Sequence, residues 1–406
     1  MADLSLDKIV EAGLCSGCGA CVFAASPGAV AMQMNEEGFL RPRATQALTA
    51  DEEQAIQRVC PGIGLRHAQT FDDGVQYAPE WGPIIALKAG HATDPEVRHA
   101  GSSGGVLSAM LIHLLETKKV EFVVHIRAST DAPLVNDAVF SETPAQVLAG
   151  AGSRYAPAAP VAALGQALAR PGRFAFVGKP CDVAAVRNIL RANPGLGERI
   201  PYLLSFMCAG TPSIKGTHQI LQRFDMRPET VQRFQYRGDG WPGLARAQSH
   251  DGQVQTMDYN TAWGSILNQY LQPRCKMCAD GTGEFADVVC ADAWYGKDGY
   301  PDFAEADGRS LVISRTTVGQ ALIGEARSAG AIEIDSFQIE DLGQIQPYQR
   351  RRKLEIWSRG LAAKLLLRKW PRYKGLKLGS NTMRLGLRKS TRAFAGTASR
   401  ILRGKF

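Results

Sequence analysis

Cys15-Ser16-Gly17-Cys18-Gly19-Ala20-Cys21 sets three cysteines at strict two-residue spacing, and a lone Cys60-Pro61 follows across a long gap. Three thiolates so spaced hold one iron–sulfur cube, and a remote cysteine followed by proline supplies the fourth ligand. In a two-cluster ferredoxin the next cysteine would come three residues after the third, where the chain has Ala25, so this module is expected to hold a single cluster. Between Cys21 and Cys60, the run Ala29 to Met34, the turn Asn35 to Gly38 and Phe39-Leu40-Arg41 alternate as a β-hairpin does. Zinc usually takes two paired C-x2-C units, and disulfides need an oxidising compartment that nothing in the chain suggests. Residues 1–70 therefore read as a ferredoxin-like 4Fe-4S module, expected to fold apart from the rest.

The 406 residues are 45% hydrophobic with 42 glycines, enough for a large core in two or three domains. The amino terminus lacks the basic-then-apolar pattern of a secretory signal, and no apolar run is long enough to span a bilayer. A cytoplasmic protein is expected. Charge is uneven: residues 350–406 hold 18 Lys and Arg against the single acid Glu355, leaving 29 bases and 38 acids, a charge of −9, for the rest. An acidic body calls for no nucleic-acid partner.

Beyond Cys60 helix and strand patterns alternate. Pro83 to Lys88 reads as a short strand, and His99-Ala100-Gly101-Ser102-Ser103-Gly104-Gly105 opens a helical run from Val106 to Leu115. A glycine and serine turn before a helix presents backbone N–H groups to an anion and lets a flat ring approach the main chain; it also serves as a permissive helix start. Arg173 to Val177 reads as a buried strand, Gly178-Lys179-Pro180-Cys181 as its turn, and Asp182 as the N-cap of a helix to Leu190. Tyr202 to Cys208 is a second strand ending on cysteine. Ligand residues of open α/β sheets lie at such carboxyl ends. With the pair Cys275-Lys276-Met277-Cys278, these cysteines offer a second four-thiolate set, Cys181, Cys208, Cys275 and Cys278. Cys290 competes as a ligand or serves as a small buried hydrophobe.

The blocks from His99 to Gly105, Val177 to Cys181, Phe206 to Ser213, Tyr236 to Gly243 and Cys275 to Trp294 together resemble the coenzyme F420 hydrogenase/dehydrogenase beta-subunit family, in the family's order. That family includes beta subunits of deazaflavin-reducing hydrogenases, 7-hydroxymethyl chlorophyll a reductase and one type of divinyl chlorophyllide reductase. The resemblance implies two 4Fe-4S clusters and one FAD. It implies a flavin contact for Gly101, Ser102, Ser103, Gly104 and Gly105, and another for Ser153, Arg154 and Tyr155. It also implies cluster ligation by Cys181, Cys208, Cys275 and Cys278. Ala291-Asp292 stands where the family has Gly-Asp, which leaves ligation by Cys290 open.

The expected architecture is α/β: the ferredoxin-like module (1–70), an N-terminal flavin-binding region (80–165), a C-terminal α/β domain with the second cluster (166–340) and a basic amphipathic tail (341–406). His99 is taken as the catalytic acid because histidine titrates in the useful range and borders the glycine turn, with Tyr155 and Asp182 as further proton donors. Arg237 is read as a cation for a phosphate or acidic substrate, and Trp241 as a cover for a ring or as packing. In the tail, Leu354, Trp357, Leu361 and Leu365 fall on one helical side among Arg351, Arg352, Arg359, Lys364 and Arg368, which suits an anionic membrane surface at the inner face of the membrane or packing on the acidic body. Pro371 breaks this helix, and the residues that end the chain are expected to be mobile. Truncation after Gln349 is expected to spare the sites upstream. Two functions follow: a reductase that takes electrons from ferredoxin or another low-potential donor and reduces an organic substrate at FAD, or an electron-transfer beta subunit that reduces coenzyme F420.

Overall fold

Phe174–Gly178 is buried at every position, as a strand covered on both faces must be, and it lies inside an eight-stranded mixed sheet. The computed structural model describes residues 4–67, 71–297, 300–367 and 370–404. The strand order is Ile332–Ser336, Ala86–Ala92, Ser310–Ser314, Val288–Asp292, Tyr202–Phe206, Phe174–Gly178, Phe122–Ala128 and Asn136–Ser141. The four strands from Val288–Asp292 to Phe122–Ala128 run parallel, and antiparallel strands flank them on both sides. Alternation divides the core. Phe174, Phe176 and Leu203 face Val183, Val186 and Ile189 of the helix Pro180–Ala192, while Ala175, Val177 and Leu204 face Met110, Leu111 and Leu114 of the helix Val106–Glu116. A three-stranded antiparallel sheet, Val231–Gln235, Ala245–Ser249 and Val254–Met257, stands beside this body.

Several expected elements move by a residue or two. The strand expected over Pro83 to Lys88 divides into Gly82–Ile84 and the longer Ala86–Ala92. Asp182 sits in the third helical position rather than at the cap, because Pro180 starts the helix; its carboxylate still accepts the Lys179 N–H at 3.0 Å.

The first 67 residues form the expected hairpin, Val30–Met34 against Leu40–Ala44, and a helix, Ala50–Val59, closed by a capping box of Thr49 and Glu52. They do not stand apart. Val161 N donates to Cys18 O, Ile214 N to Gly38 O and Arg274 to the carbonyls of Pro61 and Gly62. Cys18, Ala20, Val59 and Leu65 belong to the main core cluster. A Cβ on Gly19, at φ +87°, would lie 2.7 Å from the Ala162 backbone N, so this turn docks backbone to backbone.

The tail is also structural. Its long helix, Pro347–Leu367, buries Gln349, Arg352, Lys353, Ile356, Gly360 and Ala363. Lys353 Nζ donates to Ala279 O at 3.0 Å and pairs with Glu284 beneath the body surface; Glu284 also meets His67 at 2.8 Å and accepts from the Tyr77 hydroxyl at 2.9 Å. Arg372–Lys374 adds a parallel strand to Gly64–Arg66, and Asn381 of the helix Leu378–Leu385 donates to Pro79 O. A last helix, Leu387–Leu402, packs on the long one. The acidic body thus receives the basic tail through buried pairs, and the segment expected to be mobile is tied down. Arg368 lies outside the described residues.

Candidate functional site

The parallel strands all end on one edge of the sheet, and there a cavity of about 270 Å³ opens, close to the lower end of the roughly 300–1,000 Å³ common for ligand pockets. His125 and Ile126, Val177 to Lys179, Phe206 to Cys208, and Cys290 to Asp292 supply its floor from the four strand ends. The glycine turn contributes Gly101, Ser102, Ser103 and Gly105, and the loop after Gly152 contributes Ser153, Arg154 and Tyr155. Ser102 Oγ and Ser153 Oγ lie 2.7 Å apart, so the structure joins the two blocks singled out in the sequence.

Gly104 is not part of the wall. It holds φ +79°, and a Cβ there would meet Gly308 O at 2.8 Å and Arg309 N at 2.9 Å; glycine is required by the turn and the neighbouring loop. His99 is exposed on the helix Pro95–Ala100 and does not line the cavity, whereas Tyr155 and Asp182 do. Arg154 reaches the cavity but spends its guanidinium on Asn136 Oδ1 and on the carbonyls of Pro133, Val135 and Phe234, clamping the small sheet to the large one.

Charges along the wall are paired. Arg237 grips Asp292 with both amino groups, at 2.9 and 2.6 Å, and lies over the rings of Tyr259 and Trp294. Its charge is already answered, so it is not a free cation for an acidic substrate. Trp241 donates to Asp292 Oδ1 at 2.8 Å and stacks on Trp294 at 4.7 Å and 8°, fully buried as packing; Trp294, Tyr259 and Trp263 form the aromatic wall instead. Lys179 and Asp182 pair at 2.7 Å on the cavity floor. Burial acts against the Lys179 charge, but Asp182 outweighs it and holds the ammonium above its ordinary value.

The eight proposed ligand cysteines fall into two groups that flank this floor. Burial, then Cys60 and Asp182, push the Cys18 thiol up to about 12; burial and then Cys15 push Cys60 up to about 11; Cys21 is raised by burial and by Cys18, Cys15 and Cys60. Cys15, Cys18, Cys21 and Cys60 are thus within one another's fields. Gly17 N–H, in a left-handed turn, donates to Cys15 Sγ at 3.3 Å. In the second group, burial and then Cys275 push Cys208 up to about 12, with Cys278 adding to it and Arg352 opposing. Burial and then Asp182 push up the thiol of Cys181, in the first turn of its helix, with Lys179 opposing and Cys208 and Cys18 adding to the rise. Thr211 N–H donates to Cys275 Sγ at 3.3 Å, and Arg352 donates to Cys208 O at 3.0 Å. No disulfide joins these thiols, and among the described residues no three His, Cys, Asp or Glu side chains converge on a single ion. Cys290 is 3% exposed on its strand, and burial pushes its thiol up to about 12.

Cys15 and Cys18 are buried and the other six of these thiols half-buried; neighbouring thiols so placed can all ionise only around compensating positive charge. Cys208 is itself part of the cavity wall. Sequence reasoning passed over Gln346 and Gln349 of the tail, which also line the cavity and belong to no motif.

Comparison with known proteins puts the chain in the class of electron-transfer oxidoreductases. Residues 87–165 match the N-terminal region of the coenzyme F420 hydrogenase/dehydrogenase beta subunit and residues 172–340 match its C terminus, together more than half of the chain; the protein belongs to the coenzyme F420 hydrogenase/dehydrogenase beta-subunit family. It is 28% identical over 249 residues to the coenzyme F420 hydrogenase subunit beta of Methanococcus voltae, covering 60% of this chain and 81% of that one. It is 21% identical over 379 residues to the coenzyme F420-dependent sulfite reductase of Methanocaldococcus jannaschii, covering 87% of this chain and 52% of that one. Its fold is similar to a chain in the xenon-derivatised F420-reducing [NiFe] hydrogenase complex of Methanosarcina barkeri, with TM-score 0.56, 19% identity, and coverage of 73% of this chain and 98% of that one.

Proposed function

We propose that this protein is an electron-transfer subunit that exchanges electrons between a partner redox protein and coenzyme F420 through two 4Fe-4S clusters and a flavin, FAD. The observation that carries the reading is the position of Cys208, which feels Cys275 and Cys278 and also forms part of the wall of the ligand cavity. Cys15, Cys18, Cys21 and Cys60 would hold one cluster, and Cys181, Cys208, Cys275 and Cys278 the other. When bound, the clusters supply one-electron transfer and the flavin the conversion between one-electron and two-electron chemistry. The protein's own part is placement. The Ser102 and Ser153 hydroxyls and the Gly101 to Gly105 main chain offer polar contacts at one end of the cavity. Tyr155, Tyr259, Trp263 and Trp294 line the cavity with aromatic side chains against which a heteroaromatic ring can pack. Arg352 and Arg274 bring positive charge to the second thiol group.

The names of the relatives favour this reading over a ferredoxin-fed reductase of an organic substrate. The test is anaerobic purification with measurement of metal, sulfide and flavin, followed by F420 reduction with a chemical donor. About eight iron and eight sulfide per chain, with bound flavin, are expected. Four iron refutes the second cluster, zinc refutes both, and no flavin refutes the cavity assignment.

A second reading concerns the tail. Its long helix turns Arg352, Lys353, Ile356 and Ala363 inward and leaves Trp357, Leu361 and Leu365 47%, 38% and 63% exposed, among the exposed bases Arg351 and Lys364. This outward face suits the surface of an anionic membrane. No helix among the described residues is long and apolar enough to cross one.

A further inference from the structure

Among the described cavity residues, one fully buried side-chain oxygen or nitrogen has no hydrogen-bond partner: the carboxamide oxygen of Gln349. The residue is 5% exposed. Its neighbours on the wall are satisfied: Gln346 Nε2 donates to Asp292 O at 2.8 Å, Lys179 is paired with Asp182, and Arg237 with Asp292. A buried amide left unpaired is costly, and a native fold that keeps one calls for an explanation.

The fold has made room for this group. Gln349 Oε1 rests over Gly281, where a Cβ would come within 2.2 Å of it, so any side chain at 281 would expel the carboxamide. Gly281 O in turn accepts from the Cys208 N–H, and one turn along the helix Arg352 donates to Cys208 O. Gln349 is therefore held at the end of the cavity nearest the second thiol group, by the same helix that braces that group. It lies beyond residue 340, where the family match ends.

We propose that Gln349 is a ligand-binding residue: its carboxamide hydrogen-bonds the polar edge of a flat heteroaromatic ligand seated against the aromatic wall, so that the C-terminal extension completes the site. This rests on the flavin reading above and goes further, by assigning the contact to a segment outside the family match. A carboxamide can turn about its last torsion and present either N–H2 or C=O, which matches a ring edge that alternates carbonyl and N–H groups.

The test is fluorescence titration of the full chain with FAD, comparing Gln349→Met, which keeps length and removes the polar group, and Gln349→Glu, which keeps an oxygen and removes the N–H donors. Gln349→Met should weaken FAD binding by roughly tenfold, the size of one hydrogen bond, while leaving the iron content and the cooperative unfolding transition intact and raising the unfolding midpoint of the flavin-free protein. If Gln349→Glu weakens binding as well, the N–H donors make the contact; if it alone retains affinity, the oxygen does. Unchanged affinity in both variants overturns the assignment while the flavin reading stands. Failure of the wild-type chain to bind FAD at all removes both. Should Gln349→Met fail to fold, Gly281→Ala, which presses on the same carboxamide, must weaken binding, and wild-type affinity in that variant would overturn the proposal.

Discussion

Lys353→Met should destabilise the protein more than any change on the outer face of the same helix. The ammonium pairs with Glu284 and donates to Ala279 O, and both partners belong to the loop that follows Cys278. Burial works against the Glu284 charge, yet Lys353, helped by His67, holds its carboxyl well below the ordinary carboxylate range. Removing one partner of a buried pair leaves an uncompensated charge, a cost of about 3–5 kcal/mol. The His67 and Tyr77 hydrogen bonds remain and place the expected loss near 3 kcal/mol rather than 5. Because the folded carboxyl is depressed, its stabilisation is full above the unfolded value of about 4.3 and disappears as pH falls through the folded value. The difference between wild type and variant should therefore be full at pH 7 and shrink below about pH 4. Urea unfolding at both pH values measures it, with Leu365→Ser as a control expected to stay within about 0.5 kcal/mol. A Lys353→Met chain within about 1 kcal/mol of wild type at pH 7 would show that the tail does not brace this loop.

Truncation after Gln349 should yield insoluble or unfolded protein, because it removes Arg352 and Lys353 from the second thiol group and the Arg372–Lys374 strand from the first 67 residues; a soluble truncated chain with full iron would overturn the structural role of the tail. His125, buried and hydrogen-bonded to Ser141 at 2.7 Å, is lowered to about 4 by burial, so the unfolded chain takes up its proton near pH 6.5 and the folded protein only near 4. Stability from this group is complete above pH 6.5 and falls by about 2 kcal/mol on going from pH 7 to 5, a slope that His125→Gln should remove in denaturant titrations. Cys275→Ser should lower iron content while Cys290→Ala leaves it unchanged; iron lost in the Cys290 variant would bring that thiol into the second group. Trp357→Ser with Leu361→Ser should weaken salt-sensitive flotation with anionic vesicles without changing urea unfolding, each basic residue near the surface adding about 1 kcal/mol; binding equally tight to neutral vesicles would count against the charged tail as the cause.

Local patterns were legible wherever they carry their own chemistry. The strand at Phe174 and the helix after it are written in a run of apolar residues followed by proline and a capping acid. The hairpin between Cys21 and Cys60 follows from alternation and an Asn-Glu-Glu-Gly turn. Positions that depend on distant partners were misread. His99 borders the glycine turn in the chain, yet it is exposed on its short helix and forms no part of the cavity wall. Arg237 looked like an open cation because Asp292, its partner, lies 55 residues away. The stripe Leu354, Trp357, Leu361 and Leu365 suits a membrane surface or packing on the acidic body equally well, and only the fold shows the helix packed on the body with Trp357, Leu361 and Leu365 outside. The face it buries sets Lys353 and Arg352, which meet Glu284 and the Cys208 carbonyl, beside the apolar Ile356, Ala362 and Ala363.

The sequence by itself singled out the thiols proposed as metal ligands, since spacing of thiols is a property of the chain, and it determined the α/β class, since strand and helix periods are local. Tertiary structure decided where these pieces meet. It set Cys208 on the cavity wall, joined Ser102 to Ser153, answered Arg237 with Asp292, and carried Gln349 from the far end of the chain to the same cavity. Burial makes each of these pairings worth its desolvation only when both partners arrive together, and that condition belongs to the whole fold rather than to any stretch of sequence.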